Sequence, residues 1–441
     1  MEEFFEYLNQ KGLTKSRFAK KLFKLNNEEL RDLVINGIGF ASISRKIDKE
    51  SNFNFVANNT LSGGPFLCGE LPCRIRNIDN LARNSILYAD TVSISNPFEQ
   101  YIHLTEFSDF IRYQLAIDLT LLYYSKPLFD EGIFQYSTSI THVCKACLRK
   151  MNSFTRSYEK KMDRAEESLL ENILTELTYT LKFYEDSTPY IEIDGSNDIL
   201  EHPLIINLYN DPLDYLKKRL KRKRKSELTA QEVIDLGIAD MMIYPIIDDL
   251  ITQNHYANYF NSYYLTSRNI DAQLLNQNQN KRKANLSNTI SNSLDHHLPF
   301  LPDTDIKKLI RLRKNEGEAF QIYRSSLTNF LTNIKSKDYN MKQAFKDEIE
   351  PEINKIKQTI KNSKKLILAD ITKDVVVGST FVSVGLFSHF LPPNIGQLIA
   401  GVGGVNYLGK FGENVKKLTT IESEVKNNKY YFVWKLQKLK S

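Results

Sequence analysis

All four cysteines of the chain lie between positions 68 and 147, as Cys68-x4-Cys73 and Cys144-x2-Cys147. Short spacing lets each pair grip one face of a metal ion, and two such pairs supply the four thiolates of a tetrahedral zinc site. The 70 residues between the pairs make a wider gap than a compact zinc ribbon has. Two other readings compete: free thiols behaving as small apolar residues, and redox chemistry at Cys144-x-x-Cys147, set between an expected strand and an expected helix. Structural zinc on Cys68, Cys73, Cys144 and Cys147 is the cofactor expectation.

A second cluster is cationic. Within LKKRLKRKRK, the residues Lys217, Lys218, Arg219, Lys221, Arg222, Lys223, Arg224 and Lys225 place eight basic side chains in ten positions. That density suits phosphates or anionic lipid. No aromatics interleave with it, so it offers no platform for stacked bases. A solvated linker or helix end is the plain alternative.

The third group is acidic. Asp90, Asp109, Asp118, Asp130 and Glu131 surround two expected strands, and carboxylates at strand ends can hold Mg²⁺ for phosphodiester hydrolysis. Their spacing is not diagnostic. His296 and His297 are adjacent and point apart, which opposes a shared metal. Gly401-x-Gly403-Gly404 lacks the Lys-Ser/Thr and the preceding strand of a phosphate-binding loop.

The elements that must position these groups follow from periodicity. Phe4, Phe5 and Leu8, then Phe18, Leu22, Leu25, Leu30 and Val34, recur at helical intervals, so residues 1–60 read as a helical subdomain. The loop NNTLSGGPF follows. Ser85–Ile94 reads as a buried strand, Phe107–Tyr124 as a helix closed by Pro127, and Gly132–Tyr136 as a second strand, which together make a βαβ unit. From Cys147 to Tyr184 apolar residues step by three or four, predicting one long helix that Thr188-Pro189 stops. Tyr190–Gly195 is a short strand, and Thr229 with Glu232 has capping-box spacing before a helical segment reaching about Leu265. The Asn/Gln/Ser-rich stretch 269–293 reads as a mobile linker. Two amphipathic helices, over about 305–334 and 341–360, come after it.

They lead into 35 residues, Val375–Gly409, without a single Asp, Glu, Lys or Arg. Arms of 17 and 15 residues flank Pro392-Pro393-Asn394 and read as an apolar helical hairpin, either core or lipid-facing. Each arm is shorter than the roughly 20 residues that span a bilayer. In arrangement, though not in motif, long paired helices with a short apolar hairpin resemble helical pore-forming toxins.

Composition sets the bounds. At 441 residues, 41% apolar and 25% charged, the chain has room for two or three folded domains. Few cysteines point to a reducing cytoplasm, and the acidic, amphipathic MEEFFEYLNQKG does not read as a secretory signal. The net charge of +6 is uneven, since residues 295–441 hold 24 basic and 15 acidic side chains.

The expected fold is therefore predominantly α, with a small βαβ-like portion in the N-terminal half. The expected divisions are 1–60, an α/β and long-helix domain 61–266, a linker 267–294 and a basic module 295–441. The expected function is a cytoplasmic, non-enzymatic microbial effector or interaction protein, defence- or toxin-like, whose C-terminal helical hairpin module contacts the inner face of a membrane; the expected partner is an anionic membrane surface or a protein. A nucleic-acid-binding protein, with or without metal-dependent nuclease activity, is the alternative.

Overall fold

The computed structural model describes residues 1–13, 18–43, 54–86, 89–137, 163, 165–186, 189–195, 199–200, 203–207, 226–259, 262–266, 268, 270–271, 274, 306–315, 321–322, 347 and 351. Beyond them it describes the short stretches 374–377, 380–381, 384–386, 402–403 and 406–409. About 58% of the described residues before 374 are helical, around a small parallel sheet of four strands. The predominantly α reading with a βαβ portion therefore holds.

The chain begins with three helices, α1 (Glu2–Gln10), α2 (Phe18–Leu22) and α3 (Asn27–Ile43). Their buried residues Phe4, Phe5, Leu8, Phe18, Leu22 and Leu30 are those that the helical spacing selects. Strand β1 (Asn54–Ala57) comes next, then α4 (Leu71–Ser85), β2 (Thr91–Ser95), α5 (Asp109–Asp130) and β3 (Phe134–Ser137). The boundary expected at residue 60 falls in the loop after β1. Helices α1–α3 share one core with α4, α5 and one face of the sheet.

β1 pairs in parallel with β2, and β2 with β3, through the registers Phe55–Val92 and Val92–Phe134. A fourth strand, β7 (Tyr263–Thr266), joins the other side of β1, also in parallel. The order is thus β7-β1-β2-β3. Alternation along β1 defines the two faces. Phe55 and Ala57 are buried with α4 and α5, whereas Val56 joins Tyr264 and the helix preceding β7 in a second core. The sheet is therefore covered on both sides, and the direction of winding reverses between β1 and β7. In such sheets ligands occupy the crevice outside the carboxyl ends of the strands, at the reversal.

Several sequence expectations change. The strand expected over Ser85–Ile94 begins only at Thr91, because α4, opened by Leu71-Pro72, runs through Ser85. Pro127 lies inside α5 rather than closing it.

Of the single long helix expected over 147–184, residues 147–162 lie outside the described residues, and the described part is α6 (165–176) followed by strand β4 (Leu177–Phe183). β4 pairs antiparallel with β5 (Pro189–Gly195), which pairs with β6 (Leu204–Asn207). Leu177 and Leu181 are four apart, which satisfies a period of two as well as 3.6. Buried Tyr179 between Thr178 and Thr180 decides for the strand, since Tyr and Thr suit a pleated, half-buried surface.

The capping box forms as expected: Thr229 accepts from the Glu232 backbone, and Glu232 accepts from the Thr229 backbone. The helix that it starts, α7 (Ala230–Asp235), is capped by Leu236, and Gly237, with φ +70°, turns the chain out of it. Helix α8 (Ile238–Tyr259) follows, and the expected helical end near Leu265 is strand β7 instead.

Arg268, Ile270, Asp271 and Leu274 are buried, so the start of the expected linker 267–294 packs into the protein; the remainder of it lies outside the described residues. Helix α9 (Ile306–Asn315) packs on α4. Most of the expected hairpin over 375–409 lies outside the described residues. The described pieces are short strands, of which Val384–Leu386 pairs with β7.

Candidate functional site

A cavity of about 440 Å³ opens at the carboxyl ends of β1, β2 and β3. Three segments wall it: the loop after β1, the loop after β2, and the faces of α4, α5 and α8 turned towards them. Its size suits a small metabolite.

The loop after β1 is a tight knot held by asparagines. Asn58 fixes its base: the side-chain oxygen accepts from the Leu61 backbone at 2.8 Å, and the side-chain nitrogen donates to Thr266 Oγ1 at 2.8 Å. Ser62 Oγ donates to the Asn58 carbonyl and accepts from the Ser95 backbone, joining the loops after β1 and β2. Gly63 has φ +82°, and a Cβ on Gly64 would stand 2.2 Å from Asn59 Oδ1. The Gly-Gly pair is thus a steric requirement of the turn.

Two buried ionic clusters, a pair and a triad, brace the cavity. On the α4–α5 side, Arg74 donates to Asp118 Oδ1 at 2.5 Å, with the two side chains 2% and 1% exposed. Arg74 also donates to the Gly63 carbonyl, while Tyr101 and Gln100 donate to Asp118 Oδ2. Burial pushes the Asp118 carboxyl above its ordinary range; Arg74 and the two other donors pull it back.

On the α8 side, Arg268 donates to Asp249 at 2.6 Å and to Asp271 at 2.8 Å, all three being buried. The Asn59 backbone donates to the other Asp249 oxygen, and Thr266 donates to Asp271. Burial raises Asp249 to about 6, and the Asp271 charge adds to that, against the pull of Arg268. Burial also works against the Arg268 charge, but Asp271 and Asp249 outweigh it and hold the guanidinium protonated.

Among the described residues, Arg83 Nε, Asn96 Nδ2, Ser125 Oγ and Gln253 Oε1 are buried without a hydrogen-bond partner. Asn96, Ser125 and Gln253 line the cavity, but these particular atoms are covered by their neighbours and do not border the void. Asn96 Oδ1 accepts from the Phe98 backbone and Gln253 Nε2 donates to Ser95, which ties both residues to the loop after β2.

Of the five carboxylates singled out in the sequence, Asp118 alone lines the cavity. Asp130 pairs with Lys126 and Glu131 with Lys314; Asp90 immediately precedes β2, and Asp109 opens α5. The five are not brought together. Cys68 is exposed and Cys73 half-buried on the first turn of α4. A hydrogen bond with Cys68, then burial, raises the Cys73 thiol. Cys144, Cys147, the basic run Lys217–Lys225 and His296-His297 lie outside the described residues. Among the described residues no three His, Cys, Asp or Glu side chains are placed to hold a metal ion.

Arg74, Asn96, Asp249, Gln253, Arg268 and Asp271 escaped the sequence reading. Phe55-Val56-Ala57 directly before NNTLSGGPF was the available signal: a short apolar strand running into a Gly-Gly turn. No protein-family model, curated protein or solved structure matches the chain, so the site stands on its own geometry.

Proposed function

We propose that the chain is a ligand-binding interaction protein whose α/β portion holds a small polar molecule in the crevice at the winding reversal. The observation that carries this reading is the cavity of about 440 Å³ at the carboxyl ends of β1, β2 and β3, walled by both buried ionic clusters. Asp118 and Asp249 have both oxygens engaged by protein donors, so their role is to hold the walls. The output belongs to the C-terminal part. The basic surplus of residues 295–441 and the uncharged run 375–409 suit an anionic membrane surface in a reducing cytoplasm.

Screening the whole chain for thermal stabilisation by small metabolites tests the first half. A ligand at about a hundred times its Kd adds about 2.7 kcal/mol, a shift of a few degrees. Thr252→Trp places a bulky ring at the half-exposed rim and should remove the shift while leaving the core alone. Absence of any stabiliser in wild type counts against the site. For the second half, the chain should co-float with vesicles containing phosphatidylserine; a chain left at the bottom of the gradient removes the membrane role. Among the described residues no helix is long and apolar enough to cross a membrane.

A further inference from the structure

We infer that Cys68 and Cys73 form a reversible disulfide, a redox-sensitive clasp across the entry to α4 that steadies one wall of the cavity.

Helix geometry brings the two thiols together. Glu70 is the N-cap of α4, extended at φ −67° and ψ 133°, and Leu71 and Pro72 open the first turn. Cys73 is the third helical residue. The Cα–Cβ bonds of a helix tilt towards its N-terminus, so the Cys73 side chain leans back over the chain that enters α4. Cys68 stands on that chain, two residues before the N-cap. Gly69 folds the entering chain against Pro65, its Cβ position lying 3.8 Å from the Pro65 carbonyl oxygen. The Arg74 N–H then closes the first turn on the Glu70 carbonyl at 3.1 Å. The two thiols, both free, share a hydrogen bond.

Exposure divides the roles. Cys68 is exposed and Cys73 half-buried, so a small disulfide such as oxidised glutathione reaches Cys68 first. The Cys68 thiolate attacks one sulfur of that disulfide, its S–S bond breaks, and one small thiolate leaves and takes up the proton that Cys68 gave up. The Cys73 thiolate then attacks the Cys68 sulfur and releases the second small thiol. Two protein thiols are oxidised, and one small disulfide is reduced to two thiols. The hydrogen bond with Cys68, burial and the Cys68 charge all raise the Cys73 thiol. Capping Cys68 removes the first and the last of these, which readies Cys73 for the second step only after the first is done.

The ring closed by positions 68 and 73 is short, so the bond constrains the unfolded chain little and acts locally. Pro65 and Phe66, just before Cys68, line the cavity. Arg74, directly after Cys73, spans the same wall from the Gly63 carbonyl to Asp118. A covalent bond here ties the loop after β1 to the first turn of α4. In the reducing cytoplasm expected for the chain, disulfides that form are characteristically transient and redox-sensing.

The test treats the whole chain with oxidised glutathione, alkylates the remaining thiols and digests with trypsin. The peptide Glu50–Arg74 carries Cys68 and Cys73 and neither other cysteine. Mass spectrometry should find it unalkylated and lighter by two hydrogens than its reduced form, and excess dithiothreitol should reverse the change. Cys73→Ser should stall with glutathione attached to Cys68, and Cys68→Ser should lose most of the reaction. Wild type that keeps glutathione on Cys68, crosslinks Cys68 or Cys73 to Cys144 or Cys147, or retains both thiols would overturn the disulfide. Amide hydrogen exchange over residues 59–66 is the second readout. Oxidation should slow it by about three- to tenfold in wild type, and leave it unchanged when Cys68→Ser and Cys73→Ser are combined. A disulfide that forms without slowing exchange would overturn the steadying of the cavity wall. Neither readout requires a ligand, so both are independent of the ligand-binding reading.

Discussion

Asp118→Leu is expected to destabilise the protein by about 3–5 kcal/mol, the usual effect of stranding one partner of a buried ion pair. Removing the carboxylate leaves the Arg74 guanidinium 2% exposed with only the Gly63 carbonyl to receive it. Arginine cannot shed its proton at any pH that a protein survives. The loss should therefore not shrink on going from pH 7.5 to pH 5.5, since the raised Asp118 carboxyl makes wild type, if anything, relatively more stable at the lower pH. Tyr101 and Gln100 lose their common acceptor in the same change. Because Arg74 also holds the loop after β1, ligand binding should fall with stability. Urea unfolding midpoints at the two pH values check this. A variant within about 1 kcal/mol of wild type would mean that Arg74 finds another partner or escapes to water.

Arg268→Met should destabilise by a comparable amount at neutral pH, but with a different pH signature. Here the stranded groups are Asp249 and Asp271, 2% and 0% exposed, and carboxyls can take up protons. In wild type Asp249 already titrates near 6, above the roughly 3.9 of an unfolded aspartate. A folded-state value above the unfolded one makes the native state bind protons more readily. Stability then falls as pH rises from about 4 through 6. Without Arg268 the Asp249 carboxyl loses the charge that pulls it down and shifts further up, and that unfavourable window widens towards neutrality. Arg268→Met should thus recover part of its lost stability on going from pH 7.5 to 5.5, which Asp118→Leu should not. Equal losses at both pH values would show that Asp249 and Asp271 do not carry the penalty.

The contrast between these two substitutions bears on what the sequence reveals. Local patterns were legible: the helical spacing of Phe4, Leu8, Leu22 and Leu30, the Thr229–Glu232 capping box, and the βαβ unit that ends in Phe134–Ser137. Each is written within a few residues, where periodicity and capping chemistry act. Strand β7 and the partners of Asp118 and Asp249 were not. Asn58 meets Thr266 across 208 positions, and Asn59 meets Asp249 across 190. Such pairings are set by the order of strands, which no local pattern encodes.

Leu177–Phe183 failed for a different reason. Alternate positions in a strand and every fourth position in a helix coincide at Leu177 and Leu181, so spacing alone could not separate them. Asp118 was noticed for its charge and assigned to metal chemistry. Its buried partner Arg74 lies 44 residues earlier, on a helix that the sequence reading had not placed.

The central claim is that one small molecule occupies the cavity between the loop after β1 and α8. Titration calorimetry of the strongest stabiliser from the metabolite screen, against wild type and Thr252→Trp, tests it most directly. One site per chain is expected in wild type and none in Thr252→Trp, with both proteins equally folded. The same affinity in both would place the ligand elsewhere and contradict that claim.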